Sequence, residues 1–118
     1  MRFYTKTHEW FDTDTNQIGI TNFAAKELGD IVYINMPDVG DTLIEGEQFA
    51  DVESVKAVAE INSPVSGIVA EINMDVEENP EMINDNADEN WIIIATQVDI
   101  GELLTKEEYL KYIENEVN

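Results

Sequence analysis

The chain contains no cysteine. Without a thiol it can have no disulfide framework, no cysteine metal site and no cysteine nucleophile, so redox chemistry would require an attached group. It also lacks any uncharged apolar run long enough to span a bilayer, and residues 1–10 contain no apolar signal core. We therefore expect a soluble protein that is cytoplasmic in a bacterium, or mitochondrial after processing in a eukaryote.

Basic residues are scarce: six Lys and Arg stand against 26 Asp and Glu, for a formal net charge of −20. Nucleic-acid binding depends on neutralising phosphates with basic side chains, so this composition excludes it as a function. It argues equally against binding to anionic membranes. We expect neutral or basic protein partners, whose encounter an acidic surface would accelerate. The alternative is that the charge serves only solubility or a high-salt habitat.

The composition is otherwise that of a folded protein. With 118 residues, of which 43% are hydrophobic, the chain is long enough for one modest core and too short for two domains. We therefore predict a single domain over residues 1–118.

The lysine at position 56 is the only basic residue between Lys26 and Lys106, and nineteen carboxylates occupy the run from Glu27 to Glu102. Two short β-prone segments meet at Lys56, and a turn-forming segment, residues 62–67, follows them. The apolar residues here recur at every third position, which we interpret as two strands whose phase changes at the tip: Phe49, Val52, Val55, Val58 and Ile61. The pattern predicts a hairpin that presents one amine, and it suits an enzyme that attaches a prosthetic group to that amine.

A doubled pattern surrounds the hairpin. In the first half, residues 29–34 are followed by the strands that lead to Lys56. In the second half, the similar residues 67–72 are followed by an apolar strand at 91–95. The repeat favours two similar β half-units. Turns are predicted at 36–41, at 44–47 and at Ser66-Gly67. A helix is predicted over 21–28, ending at Gly29, and a short helical turn over 99–102. A C-terminal helix should follow the capping box of Thr105 and Glu108, with Leu110, Ile113 and Val117 on its apolar face.

Seven segments resemble, in order and spacing, the motifs of the H protein of the glycine cleavage system. They are residues 8–10 (His-Glu-Trp), 18–21 (Ile-Gly-Ile-Thr), 27–32 (Glu-Leu-Gly-Asp-Ile-Val), 39–41 (Val-Gly-Asp) with Pro37, 53–57 (Glu-Ser-Val-Lys-Ala), 63–67 (Ser-Pro-Val-Ser-Gly) and 79–84 (Asn-Pro-Glu-Met-Ile-Asn). The resemblance covers nearly the whole chain. It implies a mainly β, lipoyl-domain-like flattened barrel or sandwich of two small sheets, with a few short peripheral helices and a C-terminal helix.

The resemblance also implies a function. The chain would be a non-catalytic carrier whose covalently attached lipoic acid forms a swinging arm, raising the effective concentration of its reactive end at successive active sites. Its partners would be glycine decarboxylase, the tetrahydrofolate-dependent aminomethyltransferase, dihydrolipoamide dehydrogenase and a lipoate-attaching enzyme. Aminomethyl groups would pass from the first of these to the second.

By the same resemblance, Lys56 is the lipoyl attachment residue. Ser54, Val55 and Ala57 complete its signature, and Glu53 would be read by the attaching enzyme unless it is one exposed carboxylate among many. Gly67 matches a glycine that lipoyl domains use at a turn, where its role is structural.

Residues 85–90 depart from the family pattern, because an acidic segment stands where the family usually has a glycine and often a Pro-Tyr pair before Trp91. This segment resembles divergent H-like lipoyl proteins that serve lipoate relay or stress modules, so that function remains an alternative. A biotin-type carrier is a lesser alternative, because biotin carriers flank their lysine with methionines, whereas Val55 and Ala57 flank Lys56 here. The last alternative is an acidic interaction domain without a prosthetic group.

The remaining candidates have structural interpretations. His8, the only histidine, is expected to pack or hydrogen-bond beside Trp10, and both Trp10 and Trp91 are expected in the core. The acidic pairs at 77–78 and 88–89 lack EF-hand spacing and are expected to be solvated. We therefore predict no metal site and no catalytic residue.

Overall fold

The computed structural model describes residues 1–116, which form nine β-strands and four α-helices. The strands are β1 Arg2–Tyr4, β2 Glu9–Asp12, β3 Gln17–Ile20, β4 Ile31–Asn35, β5 Thr42–Leu43, β6 Gln48–Ser54, β7 Val58–Asn62, β8 Ser66–Ile72 and β9 Ile93–Asp99. The helices are α1 Asn22–Leu28, α2 Met74–Glu78, α3 Met82–Asp85 and α4 Lys106–Glu116. The expectation for Val117 lies outside the described residues.

The strands form two antiparallel sheets. The larger has the order β1-β2-β3-β9-β8-β5, and the smaller has the order β4-β6-β7. The two predicted half-units fall in different sheets: β4 pairs with β6 in the small sheet, and β8 pairs with β9 in the large one. The predicted fold class, two small sheets with short helices and a C-terminal helix, is confirmed.

One hydrophobic core lies between the sheets. Val52 and Ile61 of the small sheet belong to the same buried cluster as Ile18, Val69 and Ile93 of the large one. The buried residues are the even-numbered Ala50 and Val52 in β6 but the odd-numbered Ile61 in β7, so the phase of the hairpin strands does change across the tip, as predicted. Burying a core side chain such as Val52, Ile61 or Ile93 contributes about 1.5–3 kcal/mol relative to leaving it exposed.

The helix ends follow the sequence signals. Thr21 accepts a hydrogen bond from the Ala24 N–H at the start of α1, and Gly29 ends that helix at a φ of 77°. The capping box of α4 is also present, because Glu108 N–H donates to the Thr105 hydroxyl and Thr105 N–H donates to the Glu108 carboxylate. No helix within residues 1–116 is long and apolar enough to cross a membrane.

Three local predictions need correction. Residues 99–102 form no helical turn: Asp99 ends β9, and the chain then runs to a β-bridge in which Leu104 exchanges backbone hydrogen bonds with Tyr4. The last predicted strand begins at Ile93 instead of Trp91 and runs on to Asp99, since it pairs with both β3 and β8.

The third correction concerns Gly67, which lies within β8 and not at a turn. It pairs with Leu43 of β5, and the register of β8 against β9 shifts beside it. A Cβ at this position would lie 2.7 Å from the Thr96 carbonyl oxygen. The absence of a side chain at Gly67 therefore allows the two backbones to approach closely.

Candidate functional site

The hairpin between β6 and β7 presents Lys56 on an ordered tip. The Ser54 hydroxyl accepts hydrogen bonds from the N–H groups of Lys56 and Ala57, both at 3.2 Å, and donates to the Ala57 carbonyl. A backbone bond of 2.8 Å from Ser54 N–H to the same carbonyl closes the turn. Lys56 and Ala57 are exposed, so the amine is accessible on a backbone that Ser54 holds in one conformation.

The segment after α1 supports the tip from the side. Val55 N–H donates to the Asp30 carbonyl at 3.0 Å. The Lys56 side chain lies over Gly29, whose added Cβ would be 3.2 Å from the lysine Cε. Gly29 therefore both ends α1 and leaves space for the lysine methylenes. The sequence identified only the first of these roles.

The residue just before the acidic segment 85–90 contacts this support. Asn84, in α3, accepts a 2.8 Å hydrogen bond from Ile31 N–H and donates one of 2.8 Å to the Gly29 carbonyl. Ala87 is fully buried, and its carbonyl accepts a hydrogen bond from the indole of Trp10. The segment is thus packed into the fold and does not merely decorate its surface. Trp10 is buried as predicted, whereas Trp91 is only partly buried.

Glu53 is exposed in the middle of the small sheet. It pairs with Tyr33 of β4 on one side and with Val58 of β7 on the other. Its carboxylate lies on the sheet surface that leads to the tip, where an approaching protein can contact it.

A cleft of about 280 Å³ opens between the small sheet and α1. Its walls come from β6, β7 and α1, and from the loop before β2; they include Leu28, Val52 and Ala59 together with Glu9 and Glu60. Both hairpin strands line it, and Leu28 adjoins Gly29, which the Lys56 side chain covers. The cleft is therefore next to the lysine-bearing tip.

Glu9 is the buried carboxylate of this cleft, with 1% of its surface exposed. It accepts hydrogen bonds from the hydroxyls of Thr5 and Thr7 and from Asn62 N–H at 3.2 Å. Burial raises the pKa of Glu9 above its usual value, and these three hydrogen bonds oppose that shift only in part. The sequence analysis quoted Glu9 in a motif without giving it a role. The hydroxyls of Thr5 and Thr7, two positions apart just before Glu9, were the sequence feature that could have indicated a hydrogen-bonded carboxylate.

His8 connects the cleft to α4. Its Nδ1 lies 2.8 Å from the Tyr109 hydroxyl, and its Nε2 lies 3.1 Å from a Glu116 carboxylate oxygen. Burial raises the pKa of Tyr109 to about 12, so that hydroxyl is neutral and also hydrogen-bonds Thr21 at 2.8 Å. His8 thus has the hydrogen-bonding role expected of it, but its partners are on α4. Within residues 1–116 no cluster of three His, Asp or Glu residues could hold a metal ion.

Comparison with known proteins identifies the family. The family model described as "Glycine cleavage H-protein" matches residues 2–116. The chain belongs to this family. It is 45% identical over 121 residues to the glycine cleavage system H protein of Thermus thermophilus, covering 98% of this chain and 94% of that protein. It is 44% identical over 118 residues to that of Lachnoclostridium phytofermentans, covering 97% and 93%.

A solved structure agrees. The crystal structure of a glycine cleavage system H protein from Mycobacterium marinum matches with a TM-score of 0.86 and 31% identity, over 99% of this chain and 97% of that one. Family membership, predicted from the motifs, is confirmed, and with it the role of lipoyl carrier in the glycine cleavage system. The protein is a carrier component and not a catalyst, and H proteins hold lipoate covalently on a lysine. Other components of the system are its partners.

Proposed function

We propose that residues 1–118 form a single lipoyl-carrier domain whose attachment residue is Lys56. The observation that carries the proposal is the tip itself: an exposed lysine on a turn held by Ser54 and by the Asp30 carbonyl. The small Ala57 and the absent side chain of Gly29 leave space around the amine. A covalent group of extended shape fits such a site.

Bound lipoate would supply a dithiolane that accepts the aminomethyl group at glycine decarboxylase, delivers it at the aminomethyltransferase and is reoxidised by dihydrolipoamide dehydrogenase. The chain's own residues present the arm at the tip, and we propose that Glu53 identifies the tip to the attaching enzyme. The similar relatives come from bacteria and archaea, which supports a cytoplasmic location.

The cleft beside the tip suits the protonated amine of an aminomethyl group. Glu9 and Glu60 are among the residues that line it, and Leu28, Val52 and Ala59 supply apolar wall that excludes water. Exclusion of water slows hydrolysis of a labile aminomethyl adduct. Because only the ionised form of Glu9 pairs with a cation, retention of the amine should strengthen as pH rises through the raised pKa of this residue.

The attachment residue is tested by intact mass and peptide mapping of protein from its native cell. We expect the lipoyl mass on Lys56 alone, complete loss in Lys56→Arg, and no loss in the matched control Lys26→Arg. Lipoate on Lys26 or Lys106, or on the Lys56→Arg variant, would overturn the assignment.

The partner is tested by isotope exchange. Lipoylated protein and glycine decarboxylase from the same source should exchange the glycine carboxyl carbon with labelled bicarbonate. If exchange fails while the protein passes lipoate to another acceptor, the relay function that the segment 85–90 suggests would replace glycine cleavage as its role in that cell.

A further inference from the structure

Four exposed apolar side chains surround the base of the Lys56 tip, and together they form what we term the tip patch. Val32 is 57% exposed, Tyr33 53%, Val55 66% and Val58 66%. Exposed aromatic and branched side chains that lie close together mark interaction sites more often than scattered ones do.

The sheet register explains how the patch is assembled. Tyr33, Glu53 and Val58 are paired across three adjacent strands and form one row on the outer face of the small sheet. The register between β4 and β6 shifts between Ile31 and Tyr33, which is why the consecutive residues Val32 and Tyr33 are both exposed. The irregularity therefore adds a second apolar side chain to this face, beside the tip.

Acidic residues lie within and around the tip patch, and we term them its acidic rim. Exposed Asp30 precedes it in sequence, Glu53 lies within its central row, and Asp51 follows on the next row of the same face. Lys56 is the only cation in the sequence from 27 to 105. A second copy of this chain, with a net charge of −20, would be repelled from such a surface, whereas an apolar surface ringed by basic residues would be attracted.

The distance at which an enzyme acts on the arm indicates which partner must contact the tip patch. Enzymes that act on the far end of a lipoyl arm approach the carrier through the length of that arm. The enzyme that attaches the arm has only the lysine side chain between its acyl donor and the hairpin backbone, so it must contact the tip and the strands that lead to it. A patch adjoining the tip matches this requirement.

We propose that the tip patch with its acidic rim is the docking surface for the enzyme that acylates Lys56. This proposal rests on the proposed function, in which Lys56 is the attachment residue. In the reaction the neutral Lys56 amine attacks the acyl carbon of a lipoyl-adenylate. An amide bond forms, the acyl–oxygen bond breaks, AMP leaves with the bonding electron pair, and the nitrogen loses one proton to solvent.

The test is the steady-state rate of lipoylation of the apo protein by a lipoate ligase supplied with lipoate and ATP. Tyr33→Ser and Val58→Thr remove apolar contact on either side of Glu53, and Leu110→Ser, at a 50% exposed position on α4 outside the patch, is the matched control. We expect KM for the protein acceptor to rise about tenfold or more in Tyr33→Ser and by a smaller factor in Val58→Thr, because tyrosine is a common hot-spot residue and valine is not, with kcat unchanged in both. The control should behave as wild type, and all variants should have unchanged circular dichroism.

Each outcome has a distinct meaning. If wild-type protein is not lipoylated, or Lys56→Arg still is, the proposed function fails. If wild type is lipoylated and the patch variants keep its KM, only the docking surface is overturned. A fall in kcat at constant KM would mean that these residues position the lysine instead of docking the enzyme. Concentration-dependent dimerisation that Tyr33→Ser abolishes would assign the patch to self-association and also overturn the proposal.

Discussion

The replacement Glu9→Gln tests the buried carboxylate of the cleft. Glu9 has two oxygens, of which one accepts the hydroxyls of Thr5 and Thr7 and the other accepts Asn62 N–H. Glutamine has the same shape but only one acceptor. If its oxygen faces the hydroxyls, its NH₂ group faces the Asn62 N–H, donor against donor; if the amide is reversed, its NH₂ group faces Thr5 and Thr7, whose hydroxyls then lose the oxygen to which they donate, so either orientation leaves a donor without its acceptor.

The expected loss follows from that conflict. Leaving a partly buried N–H without an acceptor costs about 1–3 kcal/mol. Protonated wild-type Glu9 avoids this cost, because the oxygen that carries the proton still has a lone pair for Asn62. The usual pKa of this side chain is 4.5. Below that pH we therefore expect the free energy of unfolding of the variant to be about 1–3 kcal/mol lower than that of wild type.

The difference should shrink as pH rises. The folded pKa of Glu9 is raised, so its favourable contribution is complete below the unfolded value of 4.5 and is lost as pH rises through the folded value. Each unit by which the folded pKa exceeds the unfolded one removes about 1.4 kcal/mol from wild type and nothing from the variant. The remaining carboxylates titrate in both proteins and cancel in the difference.

Urea unfolding of both proteins at a series of pH values from 4 to 8 measures this difference directly. A gap that stays constant or widens toward neutral pH would refute the reasoning. It would mean that the three hydrogen-bond donors outweigh burial and that Glu9 is ionised with an ordinary or lowered pKa.

Four further predictions concern Glu53, two glycines and the net charge. Glu53→Gln should slow lipoylation without changing circular dichroism, and attachment at the wild-type rate would return Glu53 to the solvated surface. Gly29→Ala should lower the free energy of unfolding, measured in urea, by about 1–3 kcal/mol, because its φ is 77°. It should also slow lipoylation by displacing Lys56. The control Gly40→Ala, with a φ of 95° and open space around it, should lower stability without changing the rate of lipoylation. Gly67→Ala should cost about 1–3 kcal/mol in the same assay through its 2.7 Å contact with the Thr96 carbonyl, and an unchanged midpoint would contradict that contact. Association with the decarboxylase should weaken as salt rises and the Debye length falls from roughly 30 Å at 0.01 M to about 8 Å at 0.15 M, whereas a flat response would leave solubility as the role of the charge.

Several features could be predicted because they depend on neighbouring residues. The capping box of α4, the end of α1 at Gly29 and the hairpin around Lys56 each depend on side chains within a few positions of one another. The same holds for the motif at 53–57, which is one of the seven short segments from which the family was predicted.

The errors occurred where distant segments decide the backbone. The helical turn expected at 99–102 is absent, and the chain there leads to a bridge between Leu104 and Tyr4, which lie one hundred positions apart. Gly67 looked like a turn residue beside Ser66, but the close approach of Thr96 places it within a strand.

The sequence alone determined that this chain is an acidic, cysteine-free carrier with one lysine at a hairpin tip, because charge balance and short motifs do not depend on how the chain folds. Only the tertiary structure placed Glu9 in a cleft beside the hairpin, Gly29 beneath Lys56 and Asn84 behind Gly29. These contacts join segments that lie between 27 and 55 positions apart, such as Gly29 with Lys56 and with Asn84, and no local pattern records them. Burial and the pairing of buried polar groups arise when the two sheets and α1 pack together, and they give Glu9 its raised pKa.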